Sequence, residues 1–329
     1  MHRSTLTLIT ITVAVVVIAV VLRDVNGEIS DELATTIVTG LTASTTSAPE
    51  TTTTALPKGI TVCDLYTDIV SAGVVASPDL VEASGLAVSR VAPGVLWSHN
   101  DSRGTATVYA FTTAGEDLGG YDVPGAFALD WEDMSTGPGP DGEDSYLYVG
   151  DIGDNFDIRD GLVTVYRVPD EDPGDLDGAF SESVPFTYRY PKGSHNAEAL
   201  FVDPVEPALY LVTKGREEAF VFKGSLVPTD GRVNLEIVST LFLGEEVSGA
   251  DMSSDGSTLV LRGYRTVWMW HRDTSVSVSD MLSGDPCEAP SPDERQGEAI
   301  AFDMDLNYWT VSEGSNSPIQ LGERAGAGS

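Results

Sequence analysis

The chain has 329 residues and a formal net charge of −33, from 51 acidic and 18 basic side chains, with only two cysteines. A surface so acidic repels nucleic acid and anionic lipid, and it suits cationic ligands, divalent metals above all. The same charge also reads as a plain solubility adaptation.

Residues 5–22, TLTLITITVAVVVIAVVL, are uncharged and mostly apolar, and they follow a short basic start (His2, Arg3). Residues 1–27 are therefore read as a signal anchor or a signal peptide. Residues 28–60 follow as a Thr/Ser/Pro-rich stalk with no usable core face. A β-propeller domain is expected over 61–325, so the chain is placed on the extracellular face of the membrane or secreted. Cys63 and Cys287 fall in this exported part and are expected to pair, two free thiols being the other option.

The propeller is read from a repeat. The five-residue segments beginning at Glu82, Asp130, Asn196, Ser248 and Gln296 share a polar first position, a small residue or Trp second, and a large aliphatic fifth, at intervals of 48, 66, 52 and 48 residues. That spacing suits four-stranded blades. A second strand follows each copy, from Val95, Leu147, Leu209, Leu259 and Tyr308. A third follows from Thr107, Thr164, Phe220, Thr266 and, weakly, Pro318. All are short β-branched and aromatic runs bounded by Gly, Asp, Pro and Ser. Outer strands are expected over 118–123, 184–190 and 235–243, with a poorly defined one over 276–282. The last copy is too short for a fourth strand, so the orphan strand 69–75 is expected to complete it and close the ring. Five blades are favoured; the long second repeat leaves room for a sixth.

In such a ring, equivalent positions gather around one axis. The first column is Glu82, Asp130, Asn196, Ser248 and Gln296, and the third is Ser84, Glu132, Glu198, Ala250 and Glu298. Loops after the second strands add His99, Asn100, Asp101, Asp151, Asp154, Asn155, Lys214 and Glu313. Converging carboxylates must protonate, pair or bind a cation. Hard oxygen donors suit Ca²⁺, and Glu82, Asp130, Glu132, Glu198, Glu298, Asp101, Asp151 and Asp154 are its candidate ligands. Trp131, Asn155, Asn196, Lys214 and Glu313 are candidates for contacting a ligand. His99 and His195 are the only histidines placed to act as a general base, and no nucleophile elbow, His-Glu-x-x-His or Walker loop is present. Asn100-Asp-Ser102 also matches a glycosylation sequon.

Taken together, Glu82-Ala-Ser-Gly-Leu-Ala, Leu96-Trp-Ser-His-Asn-Asp101, Asp130-Trp-Glu-Asp-Met134, Tyr148-Val-Gly-Asp-Ile-Gly-Asp-Asn155, His195-Asn-Ala-Glu-Ala-Leu200 and Gln296-Gly-Glu-Ala-Ile-Ala-Phe302 resemble a largely uncharacterised family of secreted bacterial propellers. By architecture this family is similar to calcium-dependent phytases and gluconolactonase-like hydrolases. The resemblance implies acidic rings that hold metal. The scarcity of bases near the mouth (Lys214, with Arg216, Arg262 and Arg265) argues against a polyphosphate substrate. Two functions are weighed: a tethered monomer that binds a small molecule or protein outside the cell, and a metal-dependent hydrolase of phosphoesters or lactones.

Overall fold

A computed structural model describes residues 56–101, 104–142, 144–227, 231–294 and 296–325. The apolar segment at 5–22 and most of the stalk lie outside the described residues. No helix among the described residues is long and apolar enough to cross a membrane.

Strand β1 (Tyr66–Val74) opens the domain but belongs to its last blade. The first blade is β2 (Ala83–Val88), β3 (Val95–Asn100), β4 (Thr107–Thr112) and β5 (Asp117–Asp122). The second is β6 (Trp131–Pro138), β7 (Ser145–Asp151), β8 (Leu162–Pro169) and β9 (Val184–Arg189). The third runs β10 (Ala197–Asp203), β11 (Ala208–Thr213) and β12 (Ala219–Ser225). Next come the short β13 (Val233–Asn234) and then β14 (Glu236–Leu241), which completes that blade. Strand β13 pairs in parallel with β9, so the second blade carries a fifth strand lent by the third repeat. The fourth is β15 (Val247–Met252), β16 (Thr258–Gly263), β17 (Val267–His271) and β18 (Cys287–Ala289). The fifth is β19 (Gly297–Phe302), β20 (Tyr308–Ser312), β21 (Pro318–Arg324) and β1.

Five blades therefore account for the described domain. The extra length of the second repeat goes into a long β6–β7 hairpin and the connection through Pro173–Asp175, with no sixth blade. One outer strand departs from expectation. Residues 278–281 form a single helical turn capped by Ser277, and the outer strand of the fourth blade is Cys287–Ala289 instead. Short polar residues at 277, 279 and 280 cap and open a helix more readily than they pair in a ladder.

Each inner strand lies against the inner strands of both neighbouring blades, in the order β2, β6, β10, β15, β19 and back to β2. Closure rests on the β1–β21 ladder, from Tyr66 opposite Arg324 to Val74 opposite Pro318. Cys63, in the turn just before β1, is disulfide-bonded to Cys287 in β18. The bond thus staples the closing blade to the outer strand of the blade before it.

The axis is tied by buried acids. Asp133 is fully buried, and its carboxylate accepts the backbone N–H groups of Leu200 (2.8 Å) and Ala250 (3.0 Å) on the next two blades, plus that of Met134 (2.8 Å). Asp251 accepts Phe302 N–H (2.8 Å) and Ser135 Oγ–H (2.8 Å) from blades five and two. Burial pushes Asp133 well above the usual carboxylate range and Asp251 to about 6.

Two outcomes test this frame. Reducing the Cys63–Cys287 bond, or replacing both cysteines by serine, lowers stability by about 2–5 kcal/mol in denaturant titrations. Asp133→Asn turns an amide N–H₂ towards N–H groups that now meet an oxygen, and it costs about 1–6 kcal/mol at one to two unsatisfied amides.

Candidate functional site

Every inner strand begins with the same irregularity. The register against the second strand slips by one residue between Trp131 and Asp133, Ala197 and Ala199, Val247 and Gly249, Gly297 and Ala299, and within Ala83–Leu86. The extra residue of such a β-bulge is left out of the ladder, and its side chain is re-aimed. Those residues are Glu132, Glu198, Ser248 and Glu298, with Ser84 in the matching place of the first blade, and all five are buried.

The bulge corrects the alignment of the fourth blade by two residues. Val247, whose N–H bonds Lys214 O, is the equivalent of Gly297, whose N–H bonds Tyr264 O, and of Ala197, whose N–H bonds Ile152 O. The first column is therefore Glu82, Asp130, Asn196, Glu246 and Gln296, and the third is Ser84, Glu132, Glu198, Ser248 and Glu298. Ser248 and Ala250 do not stand in the first and third columns as the sequence pattern suggests. The fourth blade does supply a carboxylate to the first ring, Glu246.

The two serines of the third column are satisfied by backbone. Ser84 Oγ–H donates to Glu132 O (2.6 Å) and Ser248 Oγ–H to Gly297 O (2.7 Å), each on the following blade. The three glutamates find side chains instead. Glu198 accepts from Lys214 Nζ (3.1 Å) and Asn196 Nδ2 (2.7 Å). Lys214 also lies over the Tyr264 ring, 5.8 Å from its centroid. Glu298 accepts from Gln296 Nε2, which also reaches Glu313 (3.2 Å).

Glu132 is different. It is 4% exposed, and its Oε1 is buried with no hydrogen-bond donor. One oxygen each from Asp101, Asp130 and Glu132 lie within 4.8 Å of one another. The loop after β7 closes this cluster from the side. Gly153 N–H donates to Asp130 O (3.2 Å), and its α-carbon packs so closely that a Cβ there would overlap Glu132 Oε1 and Asp130 Oδ2. Burial first, then the Glu198 charge, pushes Glu132 far above the usual carboxylate range; burial, then Asp101, raises Asp130. Burial raises Glu198 as well, with Lys214 opposing. Glu298 is held at about 7 by burial, against the pull of its Gln296 bond.

The other sequence candidates have different surroundings. Asp151 pairs with Arg159 and accepts Asp130 N–H (2.9 Å). Asp154 accepts Ile158 N–H (2.7 Å) and Arg159 N–H (3.2 Å), so both acids build the loop around the cluster. Asn196 joins Asp154 N–H (2.6 Å) and Asn155 Oδ1 (3.2 Å) to Glu198, which links blades two and three. Glu82 stands exposed at the rim, its carbonyl accepting Asp101 N–H (2.8 Å).

Trp131 is 1% exposed, donates to Phe127 O (3.0 Å), and packs edge-on against His99. His99 is fully buried above Gly85, where a Cβ would stand 2.5 Å from its Nε2, and burial lowers its pKa. His195 sits among Tyr190, Phe220 and Phe222 and bonds Lys192 O (3.1 Å). Neither histidine is part of the carboxylate cluster.

Asn100 ties down the start of the first blade: Oδ1 accepts the N–H groups of Val81 and Glu82, and Nδ2 donates one hydrogen to Asp79 O. Arg262 is buried against Glu294, not at the mouth.

No protein-family model matches this sequence. No curated protein matches it either. Solved structures resemble it at low identity. The PQQ-bound aldose sugar dehydrogenase of Streptomyces coelicolor is 13% identical, with 78% of this chain and 98% of that one covered and a TM-score of 0.41. XC5397 of Xanthomonas campestris, a gluconolactonase, is 16% identical over 73% of this chain and 71% of that one, with a TM-score of 0.42.

Gly153, Glu246 and Tyr264 complete the mouth and were not marked by the repeat. Gly153 has a signal in the dense Gly-Asp-Ile-Gly-Asp-Asn turn. Glu246 is found only once the bulge sets the register, and Tyr264 has no sequence signal. What the cluster can do chemically follows from its donors. Oxygens within 4.8 Å of one another stand close enough for a small adjustment to bring them onto one hard cation such as Ca²⁺. In its absence, a proton must take part of the charge.

Gly153→Ala tests the packing around the cluster. Displacing Asp130 and Glu132 is expected to weaken cation binding at least about tenfold in calorimetry, with the unfolding midpoint changed far less than by Asp133→Asn.

Proposed function

We propose that this chain is an extracellular, membrane-tethered propeller that binds a ligand or partner at an acidic, calcium-loaded channel mouth. One observation carries the reading. Glu132 directs a buried carboxylate oxygen with no donor at two further carboxylates, and a fold keeps such a charge only with a counter-ion or a proton. All-oxygen donors favour Ca²⁺ over zinc or copper. Asp101, Asp130 and Glu132 would hold the ion. Three carboxylates leave part of a six- to eight-oxygen shell for water or a ligand. Lys214, Asn196 and Gln296 would stand around that opening as hydrogen-bond donors. The Thr/Ser/Pro-rich stalk and the apolar segment at 5–22 support the tether, and the disulfide suits an oxidising compartment.

A second reading, hydrolysis of phosphoesters or lactones with metal assistance, is favoured by Glu298. A carboxylate held at about 7 is poised to take a proton from attacking water near neutral pH. Fold does not choose between the two, since propellers host both. A phosphoester and lactone screen with and without Ca²⁺ does. Turnover lost in Glu298→Gln, with Ca²⁺ affinity retained, would establish the hydrolase and displace simple binding.

The pH dependence follows from the raised carboxylates. In the cation-free protein Glu132 and Asp130 lie above their ordinary values, so Ca²⁺ must displace protons. Affinity is expected to rise with pH, and calorimetry in buffers of different ionisation enthalpy should register proton release. Glu298 acts on cation-free stability in the opposite sense. Its proton is lost at about 4.5 in the unfolded chain and about 7 in the fold, so its contribution to cation-free stability falls between those values as pH rises. Glu132→Gln is expected to abolish both the proton release and most of the affinity. Unchanged Ca²⁺ binding in that variant refutes the site.

A further inference from the structure

The acidic mouth has an apolar wall. Leu129, Phe156 and Ile158 are 51%, 71% and 67% exposed, on the loop that enters β6 and the loop that leaves β7. What sets these three apart from the other exposed apolar side chains is that they stand together on adjoining loops beside the carboxylate cluster.

Their presentation is built. Asp154 takes the N–H groups of Ile158 and Arg159, and Arg159 is anchored on Asp151, so the turn that displays Phe156 and Ile158 is tied at its base. All three side chains line one small cavity of about 70 Å³, together with Asp130, Gly153, Asp154, Asn155 and Arg159. Asp130 thus serves two spaces: it is a wall of this cavity and a member of the carboxylate cluster.

We propose that the ligand of this mouth is a small monocarboxylate with an aliphatic or aromatic body. Its carboxylate completes the shell of the cation held by Asp101, Asp130 and Glu132, and its apolar body covers Leu129, Phe156 and Ile158. The inference rests on the cation reading. Arg159 also lines the cavity, but Asp151 already pairs with it. Without the cation, an anion is therefore repelled by three carboxylates; with it, a single carboxylate can bind the ion directly, while a polyanion still meets the repulsion of the whole chain. A polyhydroxylated ligand would leave its hydroxyls against an apolar wall and lose their bonds to water. The wall is concave and borders the cluster through Asp130, which favours a single molecule whose end enters the recess over a flat lipid surface.

The test uses the full-length chain, calorimetry, and hexanoate, phenylacetate and acetate as probes. With Ca²⁺ saturating, hexanoate and phenylacetate are expected to bind at least about tenfold more tightly than acetate, because they bury several more carbons. Chelating Ca²⁺ with EGTA should abolish binding of all three. Phe156→Ser and Ile158→Ser should each weaken hexanoate several-fold and leave the Ca²⁺ titration unchanged.

Ca²⁺ binding with hexanoate no tighter than acetate overturns the ligand and leaves the cation site standing. Hexanoate binding that survives EGTA overturns the joint site and the cation reading with it. Vesicles of phosphatidylcholine and phosphatidylglycerol form the remaining arm. Ca²⁺-dependent vesicle binding lost in Phe156→Ser, with no hexanoate binding, assigns the wall to a membrane surface and refutes the small ligand.

Discussion

Asp133 holds the axis of this ring through three backbone amides, one on its own blade and one on each of the next two. Blades of a propeller otherwise meet through apolar faces that can slide, because packing between sheets is weakly directional. A buried carboxylate fixed on the N–H groups of Leu200 and Ala250 sets the height of β10 and β15 relative to β6. Asp251 repeats the device from the fourth blade to the fifth and back to Ser135. These contacts cost desolvation and return positional certainty, which matters for what stands above them.

With the strands held at common height, the bulges at their starts also come level. Each bulge turns one side chain out of the ladder at the same depth, and so the third-column residues form a true ring. Blades one and four place serine there, and the hydroxyl is short enough to bond the carbonyl of the next blade. Glutamate is too long for that bond and must find partners elsewhere. Lys214 and Asn196 serve Glu198, and Gln296 serves Glu298. Glu132 faces Asp130 and Asp101 and is sealed by Gly153. The asymmetry of the mouth therefore comes from side-chain length and the few donors nearby, on a backbone nearly the same in all five blades.

The fold was legible because a propeller repeats its signal. Alternation and strand length in three strands per blade, and a short last copy with an orphan strand ahead of the first, are enough to imply closure by 69–75 and a staple from Cys63 to Cys287. The outer strands were less legible. They face solvent, carry little hydrophobic pattern, and in the fourth blade the pattern at 276–282 belongs to a helical turn. The site was legible as a set of columns and illegible in detail for one reason. The Ser248-Gly-Ala-Asp-Met match, good by residue type, is two positions out of register, and only the strand pairing at the bulge, which composition does not mark, sets the true one. His99 shows the opposite failure: a histidine in a polar phrase, Ser98-His-Asn-Asp101, proves to be a core side chain that fills the space over Gly85.

The balance of charge at the mouth leads one step further. Glu198, Glu298 and Glu132 are all raised by burial, yet each has a different remedy close by: a lysine, an amide, and two more carboxylates. Only the last remedy makes the problem worse. Three acids brought together in a low-dielectric recess repel one another by several kcal/mol in any state that leaves them all ionised and unpaired. A bound proton relieves one of the charges, whereas a divalent cation relieves two and satisfies the Glu132 oxygen that no donor reaches. The two remedies compete for the same oxygens. A cation bound there would thus have an occupancy set by its concentration and by pH together.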